Sequence, residues 1–197
     1  MNNIYEIDGV RPVVDPTSFV HPQAVLIGDV IIGPGCYIGP GASIRGDFGR
    51  IIIGSGVNIQ DTCVLHCFPE ADLVLQDNAH IGHNAVLHGC VVKKNALIGI
   101  SAVVMDYAVI GENSFVAAMA FVKSRFEVPD NVLAAGIPAR VVRKLREDEI
   151  KWKSLGTGSY QEMAVRSRNT LKATTPLRAV EPGRKRVNWS KQDVSLP

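Results

Sequence analysis

Aliphatic residues recur along this chain every six positions, at Val20, Leu26, Ile32, Ile38 and Ile44. The series resumes at Ile53, Ile59 and Leu65, and again at Leu75, Ile81 and Leu87. After one five-residue step it runs through Val92, Ile98, Val104, Ile110, Val116 and Val122. Four positions after these residues stand small or short ones: Ala24, Cys36, Ala42, Cys63, Ala79, Ala85, Ala96, Ala102, Ala108, Ser114 and Ala120. One position after them glycine is frequent, as at Gly33, Gly39, Gly54, Gly82, Gly99 and Gly111. A six-residue period fits neither a helix nor an open sheet with one buried face. It predicts an all-β solenoid, a left-handed parallel β-helix of hexapeptide repeats, in which three hexads make one triangular coil. The aliphatic side chain fills each wall and the small one fits the crowded corner. The repeat from about residue 14 to 124 predicts roughly six such coils.

Two breaks in the period read as loop insertions. Ile44 to Ile53 takes nine steps, through RGDFGR, and Leu65 to Leu75 takes ten, through HCFPEADL. Insertions in repeat proteins fall on the surface and often carry function. From Pro129 the pattern ends and PDNVLAAGIPARVV reads as an irregular exit. Helical composition near 147–155 and 160–171, separated by the Gly156–Gly158 breaker, predicts C-terminal α-helices that cover an exposed wall. The expected organisation is therefore a β-helix over 1–128, a helical segment over 129–175 and an extended basic tail over 176–197.

Composition sharpens this picture. Aromatics are only 6% of the chain, so the interior is built from small and β-branched residues. Residues 1–139 hold 7 Lys/Arg against 13 Asp/Glu, while 140–197 hold 14 against 6. The basic C-terminal part is read as docking on an acidic body; without stacking aromatics it does not suggest nucleic acid. The N-terminus, MNNIYEIDGVRP, lacks the pattern of a signal peptide, and no apolar run is long enough to span a bilayer. A cytoplasmic protein with reduced cysteines is expected. Cys36 and Cys63 read as corner residues of the core, Cys90 sits in the five-residue step, and Cys67 is a candidate weak thiol beside the histidines.

Four of the five histidines lie within 23 residues: His66, His80, His83 and His88. His66 follows Leu65 and His88 follows Leu87. The interval of 22 residues is one 18-residue coil plus the four-residue insertion, so the two imidazoles are expected one above the other, pointing outward. Such a pair can meet one Zn²⁺. His83 sits near a corner on the preceding wall, up to about 17 Å of chain from His88, and is expected to reach the metal of a neighbouring chain instead. This predicts a homotrimer with three interfacial metals, each held by His66 and His88 of one subunit and His83 of the next. Three His ligands leave a fourth position open, an arrangement suited to catalysis by metal-bound hydroxide. Imidazole also suits Fe²⁺ and Co²⁺. His21 and His80 read as ordinary surface or supporting residues.

RGDFGRIIIGSGVNIQDTCVLH followed by HIGHNAVLHGC resembles the γ-class carbonic anhydrases and their relatives, over nearly the whole chain. AAGIPARVVRKL, WKSLGTGSYQ and TPLRAVEPGRKR are similar to the branch associated with bacterial phenylacetic acid degradation, which has a carnitine-operon sibling. The resemblance implies that His66, His83 and His88 are metal ligands and that Gln60 hydrogen-bonds metal-bound water or substrate, with Asn58 a neighbouring candidate. It implies that Arg45, Asp47 and Asp61 form an interfacial ion-pair set, with Arg45 able to hold an anionic product, and that Tyr160 approaches the site from the C-terminal helix. The family's long acidic loop with its proton-shuttling Glu is replaced by the short CFPEADL, where Glu70 is the candidate replacement.

The function expected on this basis is zinc-dependent hydration of CO₂ to bicarbonate. The alternatives are hydrolysis of an acyl-CoA thioester in aromatic degradation by the same metal site, hexapeptide-type acyl transfer, and a non-catalytic accessory role. Neither nucleic acid nor a membrane is an expected partner.

Overall fold

A computed structural model of the chain describes residues 3–187. It is a parallel β-solenoid of about seven turns followed by one helix. Strand pairing resolves three walls. The first stacks residues 25–28 and 43–46, then Val64–His66, Val86–His88, Val103–Val104 and Phe121–Val122. The second stacks Val13–Val14, residues 30–32 and 51–53, then Leu73–Leu75, Val91–Val92, Val109–Ile110 and Glu127–Val128. The third runs from Phe19–Val20 through Tyr37–Ile38, Asn58–Ile59, His80–Ile81, Leu97–Ile98 and Phe115–Val116 to Val132–Gly136.

The hexad residues fill the interior. Leu26, Ile38, Ile59, Leu65, Ile81, Leu87, Ile98 and Val104 are all fully buried, as are the corner residues Cys36, Ala42, Cys63, Ala85 and Ala102. The chain turns most corners with a residue in the left-handed region, including Asn78, Asn84, Asn95, Asn113 and Asn131. Asparagine tolerates that conformation better than most residues. In the turn Gly82–Ala85, for example, the amide of Ala85 donates to the carbonyl of Gly82 at 3.2 Å. His83 thus sits on a corner turn.

Three expectations need correction. The solenoid has about seven turns, not six, and does not end in an irregular exit. Val132–Gly136 continues the third wall, and Ala139–Lys144 folds back on it antiparallel. The extra rung was hidden because Ala134, not a larger aliphatic, stands at the core position opposite Val116. The C-terminal part forms one α-helix, Glu147–Thr170, rather than two. A glycine costs a helix interior about 1 kcal/mol, which docking on the third wall offsets. The basic tail has no regular element and is exposed through residue 187, and the remainder of the 176–197 segment lies outside the described residues.

The helix docks through polar groups. Asn95 and Asn113 pair side chain to side chain at 2.7 Å, and Asn113 with Asn131 at 3.1 Å. Lys153 donates to Asn95 Oδ1 at 2.8 Å and to the carbonyl of Asn78 at 2.5 Å; Gln161 donates to Asn78 Oδ1 at 2.9 Å. Lys153 is 1% exposed, and burial pulls its pKa down to about 7. The unfolded chain therefore holds a proton that the native state lacks between about pH 7 and the usual lysine value near 10.4. The contribution of this residue to stability is expected to rise with pH across that window, by at most about 1.4 kcal/mol per pH unit for this one proton. From about pH 7 to 9.5 the urea midpoint of the parent should climb relative to that of Lys153→Met, a difference in which groups that titrate alike in both, such as the buried cysteines, cancel.

Candidate functional site

The insertion after Leu65 lets the strand Val86–His88 stack on Val64–His66 in register, so that His88 lies directly opposite His66. His66 Nδ1 and His88 Nε2 are 3.1 Å apart. Arg45, one residue past Ile44 in the rung before, belongs to the same outward column. Each imidazole has a carboxylate behind it: His66 Nε2 meets Asp47 Oδ1 at 2.9 Å and His88 Nδ1 meets Asp106 Oδ1 at 2.5 Å. Arg45 Nη1 donates to Asp47 Oδ2 at 2.6 Å and holds that carboxylate in place.

This arrangement fixes the tautomers. With both carboxylates ionised, each imidazole donates to its aspartate. The remaining lone pairs, on His66 Nδ1 and His88 Nε2, then face each other across 3.1 Å, a contact that needs a cation between or beside them. Two nitrogens bound tetrahedrally to one Zn²⁺ at 2.0–2.1 Å would be about 3.3 Å apart. Imidazoles backed by carboxylates are also the usual support of metal ligands. The donor set therefore fits a divalent ion.

Asp106 is a site residue that the sequence reading missed. It belongs to the rung after His88, displaced by the five-residue step. Gly89 makes room for it, because a Cβ there would lie 2.8 Å from Asp106 Oδ1. Phe48 and Phe68, one on each insertion, flank the pair. The Phe48 ring is 5.4 Å from that of His66, and Phe68 is 4.7 Å from His88, and both are more than half or about half exposed.

The other candidates gather elsewhere, on the third wall and the corner after it. Gln60 and Asn58 are buried; Gln60 Nε2 donates to Asn58 Oδ1 at 3.1 Å, and Gln60 Oε1 accepts from the backbone N–H of His83 at 3.2 Å. His83 Nδ1 lies 2.5 Å from Asp61 Oδ2. Within the chain Asp61 therefore pairs with His83. Tyr160, on the helix, packs 5.5 Å from Tyr37 and 5.4 Å from His80, both ring to ring. Burial raises its pKa to about 12. His80 is half-buried, and its desolvation beneath the helix pushes its pKa down to about 3 and keeps it neutral. Within one chain the described residues contain no group of three or more His, Cys, Asp or Glu able to hold a metal. The candidates form two separate groups: Arg45, Asp47, His66, His88 and Asp106 on the first wall, and Asn58, Gln60, Asp61, His83 and Tyr160 on the third wall, its corner and the helix.

Cys67 does not join the histidines. It lies two residues after Leu65, points inward, and is fully buried in the core. Burial raises the pKa of all four thiols, that of Cys63 to about 11 and that of Cys90 to about 12. Glu70 is exposed at the third position of a turn closed by the Ala71 amide on the Phe68 carbonyl, on the loop beside Phe68.

Comparison with known proteins places this geometry in context. The family model described as Bacterial transferase hexapeptide (six repeats) matches residues 11–46. The carnitine operon protein CaiE of Escherichia coli K12 is 52% identical over 183 residues, covering 93% of each chain. CaiE of Proteus sp. LE138 is 50% identical over 185 residues, covering 94% of each. Among solved structures, a Bacillus cereus protein named for acetyl transfer superposes with TM-score 0.83 at 36% identity, over 84% of this chain and 96% of that one. A hexapeptide transferase family protein from Anaplasma phagocytophilum gives 0.80 at 37%, over 85% and 98%.

Proposed function

Since the chain belongs to the hexapeptide-repeat family that includes the carnitine operon proteins CaiE, we propose that it is a divalent-metal enzyme of the γ-class carbonic anhydrase type, hydrating CO₂ to bicarbonate. The observation that carries this reading is the pair of carboxylate-backed imidazoles, His66 and His88, whose lone pairs converge across 3.1 Å. These two would hold the ion, with His83 of a neighbouring subunit in a homotrimer as the third ligand. Zn²⁺ suits this donor set, and Fe²⁺ and Co²⁺ are compatible with it. Bound there, the ion supplies Lewis acidity that brings a water's pKa near 7.

The remaining work falls to the chain. Gln60 presents its amide from a rigid wall, and Asn58 Nδ2 is the one buried side-chain polar atom among the described residues without a partner. It is shut off from solvent, so it would serve a substrate oxygen only once a side chain beside it moves. Arg45, 42% exposed in its side chain, provides positive charge for an anionic product. Glu70 is an exposed carboxylate from which a proton can reach solvent. No helix among the described residues is long and apolar enough to cross a membrane, and we take the cytoplasm as the place of action.

Two observations favour other substrates for the same surface. The exposed rings of Phe48 and Phe68 beside the histidines would suit an apolar acyl group, and so hydrolysis of an acyl-CoA thioester. The His83–Asp61 dyad has the form of a general base, and the solved relatives carry transferase names, which suits acyl transfer. Metal analysis, stopped-flow CO₂ hydration and an acyl-CoA panel, with and without an amine acceptor, separate the three. About one divalent ion per chain and chelator-sensitive CO₂ hydration are expected. A metal-loaded protein that cleaves thioesters and leaves CO₂ untouched would replace this reading with the second, and amine-dependent, chelator-insensitive turnover would replace it with the third.

A further inference from the structure

The outward column of the third wall is Phe19, Tyr37, Asn58, His80, Leu97, Phe115 and Leu133, in successive rungs. Asn58 and His80 interrupt an otherwise apolar and aromatic column. Asn58 is buried and His80 half-buried, and covering polar groups there costs stability unless their hydrogen bonds are satisfied. The next column, one residue past the hexad positions Val20, Ile38, Ile59, Ile81, Ile98 and Val116, reads His21, Gly39, Gln60, Gly82, Gly99 and Ala117. After His21 at the first rung, Gln60 is the one long side chain among glycines and an alanine.

The hydrogen bonds that join these exceptions have a determined direction, because both ends are backbone groups. The N–H of His83 can only donate, so Gln60 must present Oε1 to it at 3.2 Å. Gln60 Nε2 then faces Asn58 Oδ1 at 3.1 Å and His80 Nε2 at 2.6 Å, and donates to both. His80 Nε2 must accept, so its proton is on Nδ1, directed to Thr157 Oγ1 at 3.5 Å. Thr157 in turn donates to the carbonyl of Lys153 at 3.2 Å, which can only accept. The chain runs without a break from the corner that bears His83 to the C-terminal helix.

We propose that His80 is a positioning residue: held in its Nδ1–H tautomer by Thr157 of the C-terminal helix, it locks the amide orientation of Gln60 and, through Gln60, the Asn58 donor and the His83 turn. The inference rests on the proposed role of Gln60 and Asn58 toward substrate, but its physical content is the tautomer and the amide orientation. Without His80, Gln60 Nε2 loses an acceptor and the amide can rotate, which turns Asn58 with it. The helix is then part of the site although none of its residues needs to touch the reacting atoms.

Substitution by leucine makes the column more uniformly apolar and leaves Gln60 Nε2 its bond to Asn58, so His80→Leu is expected to fold. A merely structural His80 would therefore leave turnover intact. Positioning predicts instead that kcat for CO₂ falls about 10- to 100-fold, with KM little changed. His80→Gln, whose Oε1 can accept from Gln60, should recover most of the loss. The second readout needs no activity. Long-range ¹H–¹⁵N correlation spectra of the full trimeric protein should show His80 neutral, with its proton on Nδ1, and Thr157→Val should shift that tautomer. An Nε2–H tautomer at His80, or a His80→Leu protein with parent kcat, overturns the proposal. If the parent shows no CO₂ hydration, the proposed function fails while the spectra still decide this inference.

Discussion

Replacing His88 by alanine is expected to empty the site of its divalent ion and to lower CO₂ hydration by about three orders of magnitude, since Lewis-acid stabilisation is worth several kcal/mol. The lone pair on His66 Nδ1 would lose the partner that faces it at 3.1 Å, and Asp106 would keep a buried charge with no imidazole to accept from. Elemental analysis reads the first effect and stopped-flow kinetics the second. Full metal occupancy in that variant would reject the pair as ligands. The division of candidates between two walls makes a stronger test possible. His83→Ala keeps the histidine pair, and His88→Ala keeps His83. Each alone should be inactive. In a threefold ring, every mixed trimer has one interface at which an intact pair meets an intact His83, so random reassembly of equal amounts should regain about a quarter of the parent activity. No recovery on mixing would show that the three histidines do not share a site between subunits.

The sequence disclosed those parts of the molecule that obey its period. Hexad arithmetic across the HCFPEADL insertion was enough to align His66 with His88, and the pairing confirms that register. Cys67 was misread although the same alternation, two residues on from Leu65, already turned it inward. What could not be read was whatever depends on a broken period or a distant partner. Asp106 backs His88 only because the five-residue step displaces its rung, and a lone aspartate near a turn gives no periodic signal. Val132–Gly136 was invisible because an alanine fills the core position. The link from His80 to Thr157 spans 77 residues and needs an unbroken helix where two glycines argued for a break. Tertiary docking through Lys153 and Gln161 overrode that local preference. The orphaned Nδ2 of Asn58 is likewise a property of packing. The family resemblance already singles out Gln60 and Asn58, and the length of Gln60 among the glycines beside it is a second signal for that cluster that needs no structure.

The glycines themselves give the other large effect, and three of them predict three different outcomes. A Cβ on Gly99 would lie 2.4 Å from the amide nitrogen of Ala118, 2.6 Å from the carbonyl carbon of Ala117 and 2.7 Å from the carbonyl oxygen of Val116. All three are backbone atoms of the next rung, which cannot move aside as a side chain would. Gly99 also lacks the positive φ that would itself require glycine, so the penalty is steric. Gly99→Ala is expected to cost about 3 kcal/mol or more, by forcing apart rungs held together by the Gly99 amide on Val116 at 2.8 Å. Gly35 has φ +67° and open space around it, so alanine there should cost only the conformational penalty of about 1–2 kcal/mol. Gly156 lies in the helix with nothing near its Cβ position, and Gly156→Ala should stabilise by about 1 kcal/mol. Urea midpoints at one fixed subunit concentration read all three, and the order Gly156→Ala, parent, Gly35→Ala, Gly99→Ala is the expected result. A neutral Gly99→Ala would mean that the rungs are not packed backbone to backbone at that column. The same close approach of the next rung's backbone excludes a side chain at Gly111, whereas Arg45, Gln60, His66 and His88 follow hexad aliphatics at positions where the wall has room for one, and the candidate site is built from those positions.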